Sequence, residues 1–488
     1  MTADTSPALW IKDPLAILAD GAGRGIVVQD GRITELVAAG REPVTREVKT
    51  FDATAHVVLP GLINTHHHFY QTLTRAVPAA LDRELFPWLQ ALYPLWARLT
   101  PEALDLAMTL AMAELMLSGC TTTTDHHYVF PKGLEDGIDI EVAAARRLGL
   151  RVLLTRGSMN LSQRDGGLPP DSVVQDEDTI LADSERLVAR YHQRGDGAMV
   201  QIALAPCSPF TVTTSLMRAT ADLARRLDVR LHTHLAETED EGRYCLATYK
   251  CRPLDYLEAC GWLSDRTWLA HGVHFNADEI KRLGRAGTTV AHCACSNQVL
   301  ASGACPVCAM EEAAVGVGLG VDGSASNNSS NLMQEVRAAF LLQRSRYGAG
   351  KVSHRDALRW ATKGSAACVG RKDIGQIALG TSADLALFKL DELRFSGSTD
   401  PLAALVLCGA HRADWVMVGG RAEIARRLSG NAKPRKLGVT CSAVECVSPT
   451  KMAGLAPGHF YFKREMTAYF PPGILSSMPF TYQFMLRI

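Results

Sequence analysis

Pro60-Gly61-Leu62-Ile63-Asn64-Thr65-His66-His67-His68 is an apolar stretch that gives out in histidines. Residues two apart lie on one face of a strand, so His66 and His68 can point inward together. The same kind of ending recurs downstream: His234, His271 and Asp322 each stand where an apolar, β-rich run stops, and Glu237 follows His234 by one short step. Candidate strands end near His68, Asp125, Gly157, Pro206, His234, His271, His292 and Asp322, separated by segments of crossover length. That alternation predicts an eight-stranded (β/α)8 barrel, and strand ends at one face of such a barrel are where catalytic groups gather.

The expected fold is therefore α/β: a (β/α)8 TIM-like barrel over residues 60–370, with a small β-sandwich domain built from both chain ends, residues 1–59 and 371–425. In the first part, Asp30-Gly31 between Gly25-Ile26-Val27-Val28-Gln29 and Arg32-Ile33-Thr34-Glu35-Leu36 is a strong hairpin signal. In the second part, Ile374–Gly380, Ala383–Phe388 and Trp415–Gly420 read as strands. Within the barrel, Thr100-Pro101-Glu102 is a helix start, with Pro in the first turn, and the helix is expected to run through Leu117 and stop at Gly119. Residues 426–488 show neither helical nor strand periodicity and are expected to form an irregular tail.

The composition narrows the function. The chain has 488 residues, with Lys+Arg 51 against Asp+Glu 51, so no basic excess is available to hold a phosphate backbone, and a nucleic acid polymer is not expected as a partner. Met1-Thr2-Ala3-Asp4-Thr5 lacks the basic-then-apolar start of a secretory signal, and no stretch is long and apolar enough to span a bilayer. A cytoplasmic protein is expected, away from any membrane. Its 13 cysteines then read as reduced thiols rather than a disulfide framework. Cys293, Cys295, Cys305 and Cys308 include a Cys-x-x-Cys spacing, but the segment between the pairs is short for a zinc ribbon.

His66, His68 and His234 with Asp322 make three imidazoles and a carboxylate, a donor set that suits one divalent ion, zinc with iron as the alternative. Asp322 can also accept the proton of a water whose pKa the metal lowers towards about 7. Glu237, at the barrel mouth, suits proton delivery to a ring nitrogen during hydrolytic deamination. His271 suits holding the attacking oxygen, while His232, one pleat deeper than His234, reads as structural. His126 and His127 read as packing residues, with one of them a candidate for lining the pocket. The zinc deaminases with His-x-Glu and Pro-Cys-x-x-Cys are excluded, because here the Glu is three from its His and no Pro precedes Cys305.

Pro60–His68, His234-Leu235-Ala236-Glu237, Leu269-Ala270-His271, Ser296-Asn297 and Gly320-Val321-Asp322-Gly323-Ser324 together resemble the amidohydrolase superfamily, in particular its guanine deaminase and chlorohydrolase-like branch. The resemblance covers roughly residues 8–425. It implies metal ligands at His66, His68, His234 and Asp322, with Glu237, His271 and Asp322 catalytic. Two-metal members of this architecture carry a bridging Lys or Glu at the end of strand four, and Ala203-Leu204-Ala205-Pro206-Cys207-Ser208 has neither, so one metal is expected.

His67–Arg75, Thr155–Met159 and Ala205–Phe210 are similar to the members of that branch that act on an oxidised purine. This implies hydrolysis of 8-oxoguanine to urate and ammonia, with guanine, isoxanthopterin, a related pterin or an s-triazine as alternative rings, and a non-catalytic scaffold as the remaining reading. Gln71 matches a purine-contacting Gln of guanine deaminases. Cys207 stands where those enzymes place an Arg, which argues against plain guanine. Arg156 is a third candidate substrate contact. The partner implied is a small purine-like base, and the family's barrels imply a homo-oligomer. The tail after about Arg421 departs from the family, whose closing strand and helix it lacks.

Overall fold

The computed structural model, which describes residues 7–425, builds eight buried strands into one parallel sheet. They are β1 (Leu62–Asn64), β2 (Cys120–His127), β3 (Arg151–Ser158), β4 (Val200–Pro206), β5 (Leu231–Leu235), β6 (Thr267–His271), β7 (Thr289–His292) and β8 (Val317–Leu319). Each pairs with the next in sequence, giving a near-closed barrel. The ring is completed at a seam between β1 and β8. There Thr65 N donates to Leu319 O at 2.9 Å and Asp322 N to His66 O at 3.0 Å. The Asn64 side chain takes part as well, accepting from Val321 N at 2.9 Å.

Helices fill the crossovers: α1 (Leu85–Trp96) and α2 (Pro101–Leu117) follow β1, α3 (Gly137–Leu148) follows β2, α4 (Glu177–Tyr191) β3, α5 (Thr214–Leu227) β4 and α6 (Glu239–Tyr249) β5. The sequence signal for α2 works as expected: Thr100 caps it by accepting from Ala103 N, and Pro101 occupies the first turn, where its missing N–H is harmless.

The remaining strands come from both chain ends. Leu9–Lys12, Gly25–Gln29, Arg32–Leu36 and Lys49–Asp52 form one sheet; Ala16–Ile17, His56–Pro60, Leu385–Lys389, Trp415–Val418 and Arg421–Ala425 form another. Asp30 and Gly31 turn the first hairpin with φ of 47° and 77°, the left-handed pair that matches strand twist. Ile11, Ile26, Val28 and Ile33 of one sheet and Val58, Leu385, Leu387 and Met417 of the other share one apolar cluster. The strand expected over Ile374–Gly380 is a loop instead. Gly375 breaks the extended backbone at φ 75°, so Ile374 and Ile377 are buried from a turn rather than from a ladder.

At the base of the barrel Arg151 and Asp384 are about 1% exposed and bonded twice, each contact 3.0 Å. Among the described residues no helix is long and apolar enough to cross a membrane, and the cysteines are free thiols. The irregular tail expected over residues 426–488 lies outside the described residues.

Candidate metal centre and pocket

His66 and His68 leave β1, His234 lies in β5, and Asp322 follows β8, and their side chains meet inside the barrel mouth. Asp322 Oδ1 lies 3.4 Å from His66 Nε2 and 3.2 Å from His68 Nε2, while His68 Nε2 and His234 Nε2 are 3.1 Å apart. The hydrogen bonds on the far side of each ring fix which nitrogen carries the proton. His68 Nδ1 donates to His126 O at 2.8 Å and His234 Nδ1 to Cys207 O at 2.6 Å. His232 Nδ1 donates to Trp268 O at 2.8 Å, so its Nε2 is an acceptor and His66 Nδ1 donates to it, also at 2.8 Å.

All three Nε2 atoms therefore present bare lone pairs to one point beside a carboxylate. Burial pulls His66 and His234 well below the ordinary imidazole range, which keeps these rings neutral and fit to ligate. Lone pairs 3.1 Å apart repel unless a cation sits between them, and outer partners that fix the tautomer are the usual support of metal-binding imidazoles. The residues fit one divalent ion. His126 joins the same cluster from β2, its donor atom within 4.8 Å of those of His66, His68 and His234. Its Nε2 donates to Ala205 O at 2.9 Å, which makes it a neutral wall of the site.

The acid and the remaining histidine stand over this centre. Glu237 Oε2 is 3.5 Å from His271 Nε2, and Asp322 Oδ2 is 3.9 Å from the same nitrogen. Burial pushes the Glu237 carboxyl well above its usual range, and the charges of Asp322 and Glu241 push the same way. Burial lowers His271 to about 4. Asn297 Nδ2 donates to His271 Nδ1 at 3.0 Å, which leaves the ring proton on Nε2, facing the centre.

Ala236, His271 and Asp322 have φ of 54°, 74° and 65°. Left-handed backbone costs a non-glycine residue about 1–2 kcal/mol, and such strain gathers at functional sites. The turn at Ala236 is held by Glu241, whose carboxyl accepts from Ala236 N at 3.0 Å and Glu237 N at 2.9 Å. In sequence Glu241 looks like the third acid of a solvated run, but Thr238 caps α6 and turns that helix's first coil back onto the strand end.

A pocket opens above the centre. Leu85, Trp88 and Leu89 of α1 roof it, with Tyr93, Tyr128 and Phe210 beside them. Gln71 and Cys207 line it as well. The Gln71 amide lies against Gly323, where an added Cβ would come within 1.9 Å of its Oε1. Burial pushes the Cys207 thiol up to about 12, so it stays protonated.

Arg156 does not reach the pocket. Side chains alternate along β3, and residue 156 faces outward, where its buried guanidinium bonds Asp183 at 2.7 Å and Gln175 at 2.8 Å. The aromatic roof went unread because α1 carries no chemical motif. His232, expected to be structural, partners His66, and the strand face it shares with His234 is the signal that could have shown this.

Imidazoles, a carboxylate and a proton-bearing acid at the strand ends of a (β/α)8 barrel define a metal-dependent hydrolase. The chain belongs to the amidohydrolase family, whose model matches residues 57–423. It is 63% identical over 415 residues to the 8-oxoguanine deaminase of Pseudomonas aeruginosa, covering 84% of this chain and 92% of that one. It is 37% identical over 434 residues to an isoxanthopterin deaminase from an unknown prokaryotic organism, covering 84% and 90%. Among solved structures, the atrazine chlorohydrolase of Arthrobacter aurescens TC1 complexed with zinc superposes with a TM-score of 0.80 at 31% identity, covering 86% of this chain and 95% of that one.

Proposed function

We propose that this chain is an aminohydrolase that converts 8-oxoguanine and water to urate and ammonia. His66, His68, His234 and Asp322 would hold one divalent metal, zinc before iron. The substrate rests on the Pseudomonas aeruginosa relative, which shares most of its length with this chain; the reaction type rests on the convergence of bare Nε2 atoms beneath a protonated Glu237. A metal bound there supplies Lewis acidity, lowering the pKa of a water ligand towards about 7.

The chain's own residues do the rest. The base enters the slot under Trp88, with the Gln71 amide and the Cys207 thiol as its polar contacts. Asp322 accepts a proton from the water as its oxygen bonds to the carbon bearing the amine, and Glu237 gives its proton to the adjacent ring nitrogen. The Nε2–H of His271 donates to that oxygen. The Asp322 proton then passes to the amine, the C–N bond breaks and ammonia leaves, and the hydroxyl proton of the intermediate returns to Glu237. The even charge balance of the chain favours a free base over a nucleic acid polymer. A cytoplasmic homo-oligomer completes the reading, on the strength of the family resemblance.

Turnover of 8-oxoguanine, guanine, isoxanthopterin and a hydroxy-s-triazine by the zinc-loaded protein, followed by ammonia release, tests this. The expected order places 8-oxoguanine first. No turnover of 8-oxoguanine sinks the proposal, and turnover of isoxanthopterin alone replaces it with the pterin reading.

A further inference from the structure

Asp125 and His127 lie on the face of β2 opposite to His126, so they point away from the barrel interior and towards α3, which carries Glu141. All three side chains are fully buried. We propose that Asp125, His127 and Glu141 form a second metal site, structural rather than catalytic, that holds one divalent cation of zinc size between β2 and α3.

Their donor atoms lie within 4.8 Å of one another, and His127 Nδ1 is 3.4 Å from Glu141 Oε1. Two ligands each about 2.1 Å from a tetrahedral zinc ion stand about 3.4 Å apart. Asp125 Oδ2, both nitrogens of His127 and both oxygens of Glu141 have no partner beyond one another and the Val129 backbone. Buried polar atoms are nearly always satisfied, and one cation would take a donor atom from each of the three side chains at once.

Asp125 Oδ1 is the exception, since it accepts from Phe69 N at 2.6 Å and leaves Oδ2 free for an ion. Asp125 Oδ2, one nitrogen of His127 and one oxygen of Glu141 then make a three-residue ligand set.

Charge argues the same way. Among the described residues the ion-pair partner of Glu141 is His127, and no Lys or Arg pairs with either carboxylate. Burial accordingly pushes Asp125 up to about 7 and Glu141 well above the carboxylate range, and burial lowers His127 to about 3. A divalent ion neutralises both carboxylates and takes a neutral imidazole as it stands. Through Phe69 N the same ion braces the turn that follows His68.

With these side chains fully buried, the ion would be taken up as the chain folds and would resist chelators afterwards. Metal analysis of protein made in zinc-supplemented medium tests this. Wild type is expected to hold two equivalents per chain and to keep one after dialysis against a chelator. Glu141→Gln and His127→Asn each lose one equivalent and keep turnover, whereas His234→Ala loses the other. A Glu141→Gln protein with wild-type metal content overturns the site. Should both variants fail to fold, anomalous diffraction at the zinc edge on wild type decides: a peak bonded to Glu141 and His127 supports the site, and no peak there overturns it.

Discussion

The two ends of this barrel treat buried charge in opposite ways. At the base, Arg151 meets Asp384 through two bonds, its third nitrogen donates to Gly197 O and Ala198 O, and Gly419 N donates to Asp384. Arg371 and Asp373 pair there as well, at 2.7 Å, and Gly197 N donates to the same Asp373 carboxylate. At the mouth, Asp322, on left-handed backbone, faces imidazole lone pairs and Glu237 faces the Nε2–H of His271, with no Lys or Arg paired to either among the described residues. The base completes its own electrostatics, and the mouth holds its groups ready for something that arrives from outside.

The sharpest way to break this contrast is to remove charge from each end. Asp322→Asn and Glu237→Gln are expected to lower kcat by about 10²–10⁴-fold, the usual worth of a general acid or base, with melting temperature nearly unchanged. A large fall in stability in either variant would show the mouth to be structural. Asp384→Ala should do the reverse: it strands a buried guanidinium and destabilises by about 3–5 kcal/mol, while kcat of the folded fraction holds. Denaturant unfolding beside steady-state kinetics reads both.

A pH series sharpens the contrast further, because its sign differs between the two ends. Burial raises the folded-state carboxyl of Glu241 from 4.5 to about 7, so the stability it contributes is full below its unfolded pKa and is lost as pH rises through about 7. Asp373 is the opposite case: burial raises it, but the hydrogen bonds of Arg371 and Gly197 outweigh burial and hold it well below the carboxylate range. Its contribution is present at neutral pH and lost on acidification. Between pH 5 and 8 the melting temperature of Glu241→Gln should gain on wild type, whereas Asp373→Asn should lag at pH 7 and catch up in acid. Parallel curves for the two variants would erase the distinction.

Ala236→Gly is the smallest change, relieving at most about 1 kcal/mol of left-handed strain against the entropy glycine adds to the unfolded chain. A rise in stability with a fall in kcat is the expected pairing, read by calorimetry and turnover.

Much of the mouth was legible in the sequence, because strand period and strand ending together place His66, His68, His234, His271 and Asp322 without any knowledge of contacts. What escaped was whatever depends on counting faces or on a helix returning to a strand. Arg156 is one residue out of phase with the barrel interior, and an even count along β3 sends it to Asp183. Glu241 sits in an acidic run that looks solvated until the capped start of α6 folds it under Glu237. Glu141 gave no signal at all, since a lone acid on a helix acquires meaning only from the strand beneath it. At the chain ends, alternation found Leu385–Lys389 and Trp415–Val418 but took the apolar loop around Gly375 for a strand.

The seam between β1 and β8 makes the centre a gauge of synthesis. His66 and His68 leave the ribosome early, but Asp322 and the strand that seats it emerge last of the barrel. A nascent chain that stops short of β8 carries all three imidazoles without the carboxylate, and without the Asn64 clasp that locks the first strand against the last. Uptake of the proposed metal at the mouth would therefore date the moment of ring closure, and an assay for it would time the maturation of the chain.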